Sequence, residues 1–359
     1  MLKISLLLFG GYLAWLLWEG YANRRARHAF RHVIHVNGIR GKTATCRLID
    51  AQLRRAGFKV FTKTTGTAPL YIDTAGVEHS IFRRGPANII EQAAILRQAR
   101  REGAEILVVE CMAVAPELQQ IAQEKIVQGD WNVITNVRYD HIFEMGKCLE
   151  DIAYSLSAMI PRDGVLFTGD EDFFPFFEEQ CRAVGTQAVL CRGEDGAGSE
   201  NLAIAQSVAR RLGVPQNQLL GAEDCRQEFG ACKEYPLGER QFLNLFSAND
   251  PQSSLLLLRE HFPQPGGLTL IYNHRLDRPD RLLLFIRYFF PYVSCQRLIV
   301  MGEGCRLARR LLRRAGLEAE IVHSWRAALE RADTPFVAGI GNIKGWACQM
   351  ICALEEGTV

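Results

Sequence analysis

An apolar run, Val33, Ile34 and Val36, breaks off at a glycine loop, and a helical pattern from Thr43 to Leu53 follows at once. This junction, Asn37-Gly38-Ile39-Arg40-Gly41-Lys42-Thr43-Ala44, constrains the fold more than any other stretch. A strand that passes into a helix through glycines aims backbone N–H groups and the positive end of the helix dipole at one point, where an anion is held. Lys42 is expected to reach the β and γ phosphates of a nucleotide triphosphate, and the Thr43 hydroxyl to hold the bridging magnesium. The loop departs from the general GxxxxGK[ST] pattern at its first position, which Val36 occupies. A tight turn ahead of an ordinary helix is the alternative, and the glycine-lysine-threonine start favours phosphate binding over it.

Strand-like and helix-like segments alternate beyond this point, as in an α/β domain around a mostly parallel sheet. The run Ile106 to Val109 ends at Glu110, and Val133 to Thr135 ends at Asn136, with Asp140 and His141 just beyond. Ligands of open parallel sheets bind at the carboxyl ends of strands, so these residues are expected beside the phosphate loop. An acidic strand end such as Glu110 suits magnesium, the alternative being a solvent-facing carboxylate. A surface histidine is the alternative for His141. Helices are expected at Leu149 to Met159 and Asn201 to Leu212, separated by a charged glycine loop, Gly193 to Gly198. A linker is expected over Gly221 to Pro236. The rhythm then restarts with strands at Phe242 to Phe246, Leu268 to Tyr272, Arg297 to Met301 and Pro335 to Ile340. The expected fold class is α/β: a P-loop central domain over 30–225 and a smaller Rossmann-like domain over 237–359.

Within 359 residues, a net charge of +2 and no long block of like charge give no reason to expect nucleic acid as a partner. Eleven cysteines without a CxxC pair describe neither a disulfide framework nor a zinc site, and they suit a reducing compartment. Cys111 and Cys148 are read as small core residues. At the amino end, Ile4 to Trp18 is apolar except for Ser5, with Trp15, Trp18 and Tyr21 toward its end and Arg24, Arg25, Arg27 and Arg31 after it. A cleaved signal peptide would carry its basic residues before the apolar run. Residues 1–22 are therefore expected to form an uncleaved single-pass anchor in the cell membrane, with the arginines marking the cytoplasmic side.

The loop Gly38-Ile39-Arg40-Gly41-Lys42-Thr43 resembles the GTxGKT loop of the Mur ligase and folylpolyglutamate synthase superfamily, and Asn136-Val137-Arg138-Tyr139-Asp140-His141 resembles its NxxxDH motif. Within that superfamily the chain is most similar to the ligase subunits of capsular poly-γ-glutamate synthases. The likeness extends over Lys63-Thr64-Thr65-Gly66-Thr67, Arg83-Arg84-Gly85-Pro86-Ala87-Asn88-Ile89, Ala248-Asn249-Asp250-Pro251, Asn273-His274-Arg275-Leu276-Asp277-Arg278 and Gly339-Ile340-Gly341-Asn342-Ile343-Lys344-Gly345. The separate substrate-recognition domain with which Mur ligases begin has no counterpart ahead of the loop, and no carbamylated lysine can be assigned.

The resemblance implies an ATP- and Mg2+-dependent amide ligase: a glutamate γ-carboxylate, free or on the growing poly-γ-glutamate chain, becomes an acyl phosphate that an amine displaces. It implies Lys42, Glu110 and His141 as catalytic groups, Thr43, Glu110 and His141 around magnesium, and Asp140 and Asn136 as supports of the loop. For the nucleotide it implies 37–44, Asn136, Asn201, Asp277 and Arg278; a helix N-cap explains Asn201 nearly as well. Arg83 and Arg84 are candidates for gripping an acidic substrate, with solvated arginines as the alternative. Lys63, Thr64, Thr65 and Thr67 read as a polar loop after a strand, over phosphates or substrate, and Asn249 and Asp250 line the amine side. Partners implied are small integral membrane subunits and a homo-oligomer. A membrane-tethered P-loop ATPase or kinase without ligation is the main rival. A dinucleotide site at Gly302-Glu303-Gly304 or at Gly339 to Gly345 lacks the GxGxxG pattern.

Overall fold

The computed structural model describes residues 2–66, 69–83, 85, 87–193, 199–221, 232–263 and 266–358. Thr67, Arg84, the stretch 194–198 of the glycine loop and the stretch 222–231 of the expected linker lie outside the described residues. The chain divides into two units, Met1–Val137 with Glu144–Cys225, and Arg138–Phe143 with Arg226–Val359.

In the first unit the order is α1 (Leu2–Arg27), β1 (His32–Asn37), α2 (Lys42–Arg55), β2 (Val60–Thr64), β3 (Leu70–Ile72), β4 (Glu78–Ser80), α3 (Glu91–Arg101), β5 (Ile106–Glu110), α4 (Pro116–Ile121), β6 (Trp131–Ile134), α5 (Leu149–Ser157), β7 (Val165–Thr168), α6 (Phe174–Ala183), β8 (Gln187–Leu190) and α7 (Ser199–Arg211). The eight strands run β4-β3-β2-β5-β1-β6-β7-β8. All pairings are parallel except those of β3 with β2 and with β4. β1 is buried along nearly its whole length between β5 and β6, which explains why its apolar residues form a run. Its side chains still alternate: Ile34 and Val36 pack with Ile49 and Leu53 of α2 and Ile204 and Val208 of α7, while Val33 packs with Leu96 and Ala99 of α3. Truncating Leu53 to alanine in such a core costs about 2–5 kcal/mol.

α4 continues through a wide π-type turn, Ala122–Val127, against the Val33 face of the sheet. There His35 Nδ1 lies 2.9 Å from Gln123 Oε1, and Asn37 Nδ2 donates to Gln119 Oε1 at 2.7 Å. The far end of the same turn receives α1: Asn23 Nδ2 donates to Ile126 O at 2.8 Å, and Arg27 donates to Gln128 O and Asp130. Asp130 in turn accepts the amide of Val33 at 2.7 Å. α1 is the one helix among the described residues long and apolar enough to cross a membrane, and its large apolar side chains from Ile4 to Tyr21 are exposed.

The second unit contains β9 (Lys233–Leu237), β10 (Arg240–Asn244), α8 (Pro251–His261), β11 (Leu268–His274), α9 (Pro279–Tyr288), β12 (Arg297–Gly302), α10 (Cys305–Arg314), β13 (Glu320–Ile321), α11 (Trp325–Arg331), β14 (Phe336–Gly341) and α12 (Trp346–Glu355). Its six strands run β13-β12-β11-β14-β10-β9, parallel except for the β9–β10 hairpin. β11 is central, with Leu270 and Tyr272 facing one core and Ile271 the other.

Three readings need correction. The last residues of the expected linker form β9, because Tyr235 and Leu237 pair with β10 and face the core. Lys63 and Thr64 belong to β2 and are buried instead of forming a polar loop. Cys148 is half-buried at the N-cap of α5, whereas Cys111 is buried in the core as expected.

Candidate functional site

The glycine loop leaves β1 at the centre of the first sheet, flanked by the carboxyl ends of β5 and β6. Gly41 caps α2 with φ 78°, a left-handed conformation that L side chains resist, and a Cβ there would stand 2.5 Å from Asn201 Oδ1. Three hydrogen bonds from two neighbours pin the loop: the Arg40 amide donates to Asn136 Oδ1 at 3.0 Å, the Ile39 amide to Asn136 O at 3.1 Å, and Thr135 Oγ1 to Arg40 O at 2.6 Å. Lys42 folds back over it, donating through Nζ to Gly38 O at 2.7 Å. The Thr43 hydroxyl donates to Glu110 Oε2 at 3.0 Å, and the Thr65 amide donates to the same oxygen at 2.6 Å. Glu110 is buried, so its carboxylate meets the Thr43 hydroxyl out of solvent, at the start of the helix whose first residue is Lys42.

Two hard oxygen donors, Thr43 Oγ1 and Glu110 Oε2, fit a magnesium ion. Asn201 does not cap a helix here. It lies inside α7, where its Oδ1 accepts from Thr45 Oγ1 at 3.0 Å beside Gly41. The Asn37 side chain turns away from the loop toward Gln119, leaving only its backbone at the loop. Burial pushes the Cys111 thiol up to about 11, so it is no nucleophile next to Glu110.

Lys63 and Arg83 converge on one carboxylate that the sequence did not single out. Lys63 Nζ is 2.9 Å from Glu91 Oε1, and Arg83 grips Glu91 with two bonds of 2.6 and 3.0 Å. Burial lowers the affinity of Lys63 for its proton, opposed by Glu91 and Glu110. Burial alone would raise Glu91, but the hydrogen bonds from Arg83 and Lys63 outweigh it and hold the carboxylate low.

In the second unit the segment carrying Asp140 and His141 docks on α9. Asp140 Oδ2 accepts from Arg281 at 3.2 Å, and Arg281 also donates to Asn249 Oδ1 at 3.0 Å and to Asn342 Oδ1. The Arg278 guanidinium lies 3.2 Å from both ring nitrogens of His141, and it pairs more loosely with Asp140 at 3.7 Å. His141 adopts φ 52° there. Tyr139 stacks on Tyr288 with ring centroids 4.2 Å apart, fastening the same segment. Asp250 caps α8 by accepting from the Ser253 amide at 2.8 Å, and Asp277 is exposed and paired with Arg275. Burial, and then Asp140, push the Asp280 carboxyl up. Arg281 was missed, although it stands in the first turn of α9, three residues beyond the N-cap Arg278.

Comparison with known proteins shows the family and the fold. Residues 36–205 match the model of the Mur ligase middle domain, and residues 233–357 that of the poly-gamma-glutamate synthase CapB C-terminal domain. PGA synthase CapB of Bacillus subtilis (strain 168) is 30% identical over 356 residues, covering 90% of this chain and 90% of that protein. Capsule biosynthesis protein CapB of Bacillus anthracis is 29% identical over 375 residues, covering 95% and 80%. Among solved structures, E. coli FolC in complex with ADP aligns with TM-score 0.65 at 16% identity over 98% of both chains, which speaks for the fold. The bifunctional folylpolyglutamate synthase/dihydrofolate synthase of Yersinia pestis CO92 gives TM-score 0.67 at 15% identity, covering 94% and 93%. The chain therefore belongs to the CapB family of poly-γ-glutamate synthases, ATP-dependent amide ligases built on the Mur ligase fold.

Proposed function

We propose that this ligase activates the γ-carboxylate of glutamate, or of the growing chain, through the groups gathered around the glycine loop. A free carboxylate does not yield an amide in water, because hydroxide leaves poorly. Transfer of the γ-phosphoryl group of ATP to the carboxylate gives an acyl phosphate, and an incoming amine displaces phosphate. The amides of 38–44 cradle the triphosphate, Lys42 offsets charge on the transferring group, and Asn136 and Asn201 hold the loop in place. Thr43 and Glu110 would hold Mg2+, which adds positive charge at the β and γ phosphates. In the second unit, Arg281 and Asn249 keep Asp140 in place, and Asp140 with Arg278 presents His141; Asp250 fixes the start of α8. Asp277 would contact the nucleotide and Arg84 the acidic substrate, and Arg83 and Lys63 would bind that substrate by exchanging it for Glu91.

The observation that carries this reading is the Thr43–Glu110 contact of 3.0 Å beside Lys42. Incubation with ATP, Mg2+, L- or D-glutamate and hydroxylamine tests it: trapped γ-glutamyl hydroxamate equal to the ADP formed is expected. Phosphate release without hydroxamate would mean a tethered ATPase or kinase instead. We further propose that α1 anchors the chain in the cell membrane with its arginines on the cytoplasmic side, beside small integral membrane subunits of a polymer-exporting complex. Recovery of the full chain in washed membranes, and its release when 1–22 are deleted, checks the anchor.

A further inference from the structure

α10 carries Arg306, then Arg309 and Arg310, then Arg313 and Arg314, steps of three and four residues that place all five on one helical face. All five are exposed. The opposite face, Cys305, Ala308 and Leu312, is buried in the core of the second unit and Leu307 is the one exposed leucine of the helix, so α10 has no apolar face to lay into lipid. No Asp or Glu occurs from 304 to 317, and among the described ion pairs the acids nearby go to Arg297 and Arg331. A chain with a net charge of only +2 thus concentrates five like charges on a strip about 12 Å long. Every one of them is arginine, the side chain whose planar fork matches a carboxylate.

The geometry points to α10 as a docking strip for the poly-γ-glutamate chain itself. The polymer carries one free α-carboxylate per residue, and five backbone bonds per γ-linked unit space these carboxylates about 6 Å apart. Successive helical turns space the arginines about 5.4 Å apart, so a chain with a carboxylate about every 6 Å, alternating from side to side, meets a row of guanidinium groups of comparable spacing along the strip. Retaining the product there keeps the chain close between additions and lengthens it before release. The identity of the ligand rests on the ligase reading given above; the strip's affinity for a polyanion is measured apart from it.

The test uses the full chain in detergent and purified poly-γ-glutamate of defined length. Binding is expected, weakening as salt rises. R309Q/R310Q/R313Q is expected to weaken it about tenfold or more. R162Q/R182Q/R192Q, which removes the same charge from the first unit, leaves it within about twofold. The α10 variant forms γ-glutamyl hydroxamate at the parental rate but makes shorter polymer. Equal binding or equal product length in the α10 variant overturns the proposal. So does loss of binding to phosphatidylglycerol vesicles while polymer binding persists, which would make the strip a membrane contact. Absence of hydroxamate from the parent chain, with α10-dependent polymer binding intact, would sink the ligase reading and leave the strip standing.

Discussion

The turn from β1 into α2 and the turn from β12 into α10 are built alike and differ in what is aimed at them. Each helix is capped by a glycine in the left-handed conformation, Gly41 at φ 78° and Gly304 at φ 63°. At the first, the space beside the cap is polar, with Asn201, Lys42, Thr43 and Glu110 converging. At the second, Leu276 fills it: a Cβ on Gly304 would stand 2.5 Å from Leu276 Cδ2, and the Leu276 amide donates to Glu303 at 3.2 Å. A plug of leucine and a carboxylate suit no anion. The strand–glycine–helix turn is a scaffold, and its chemistry comes from the side chains delivered by neighbouring strands.

The largest expected effect separates the two turns by activity. Lys42→Ala should lower hydroxamate formation about 10²–10³-fold, whereas Cys305→Ser, at the matching first residue of α10, should stay within about twofold. Parental activity in Lys42→Ala would dissolve the distinction. Next comes pH. His35 is wholly buried beside Gln123, and burial pushes its imidazole down to about 4 from an ordinary value near 6.5. The unfolded chain then binds the extra proton first, so this contribution to stability is complete above pH 6.5 and drains away as pH falls toward 4, by about 3 kcal/mol in all. Urea unfolding across that range should show the slope, and His35→Gln should flatten it. His274, near the second turn, is also lowered by burial, so His274→Gln in the same titration tells which turn carries the larger share.

Gly41→Ala and Gly304→Ala should each cost about 1–2 kcal/mol of stability, since both force a left-handed alanine. Only the first should also impair ligation; thermal melts read beside hydroxamate assays distinguish them. The smallest expected change is Thr43→Ser, about 0.5 kcal/mol or less because the hydroxyl survives. Thr43→Val in the same assay removes it and should fall well below.

The sequence made the first turn legible because its evidence is local: strand, glycines, lysine and threonine are consecutive. Glu110 was legible too, as the polar end of an apolar run. Lys63 was misread because its partner Glu91 lies 28 positions away and leaves no periodic trace near it. Asp277 and Arg278 are adjacent, yet one pairs with Arg275 in solvent and the other meets His141, a division that only the start of α9 imposes. The grouping of Arg138–Phe143 with the second unit was equally hidden, since it depends on Arg281 binding Asp140 across 141 residues of chain.

The clasp at the end of α1 has a mechanical outcome. Asn23 and Arg27 bolt the helix to the π-type turn and to Asp130, which itself holds the start of β1. Such a stalk works as a bracket and denies the first unit a swivel. Whatever surface takes up the exposed length of α1 therefore meets that unit at one attitude, with the mouth of its glycine loop always turned the same way.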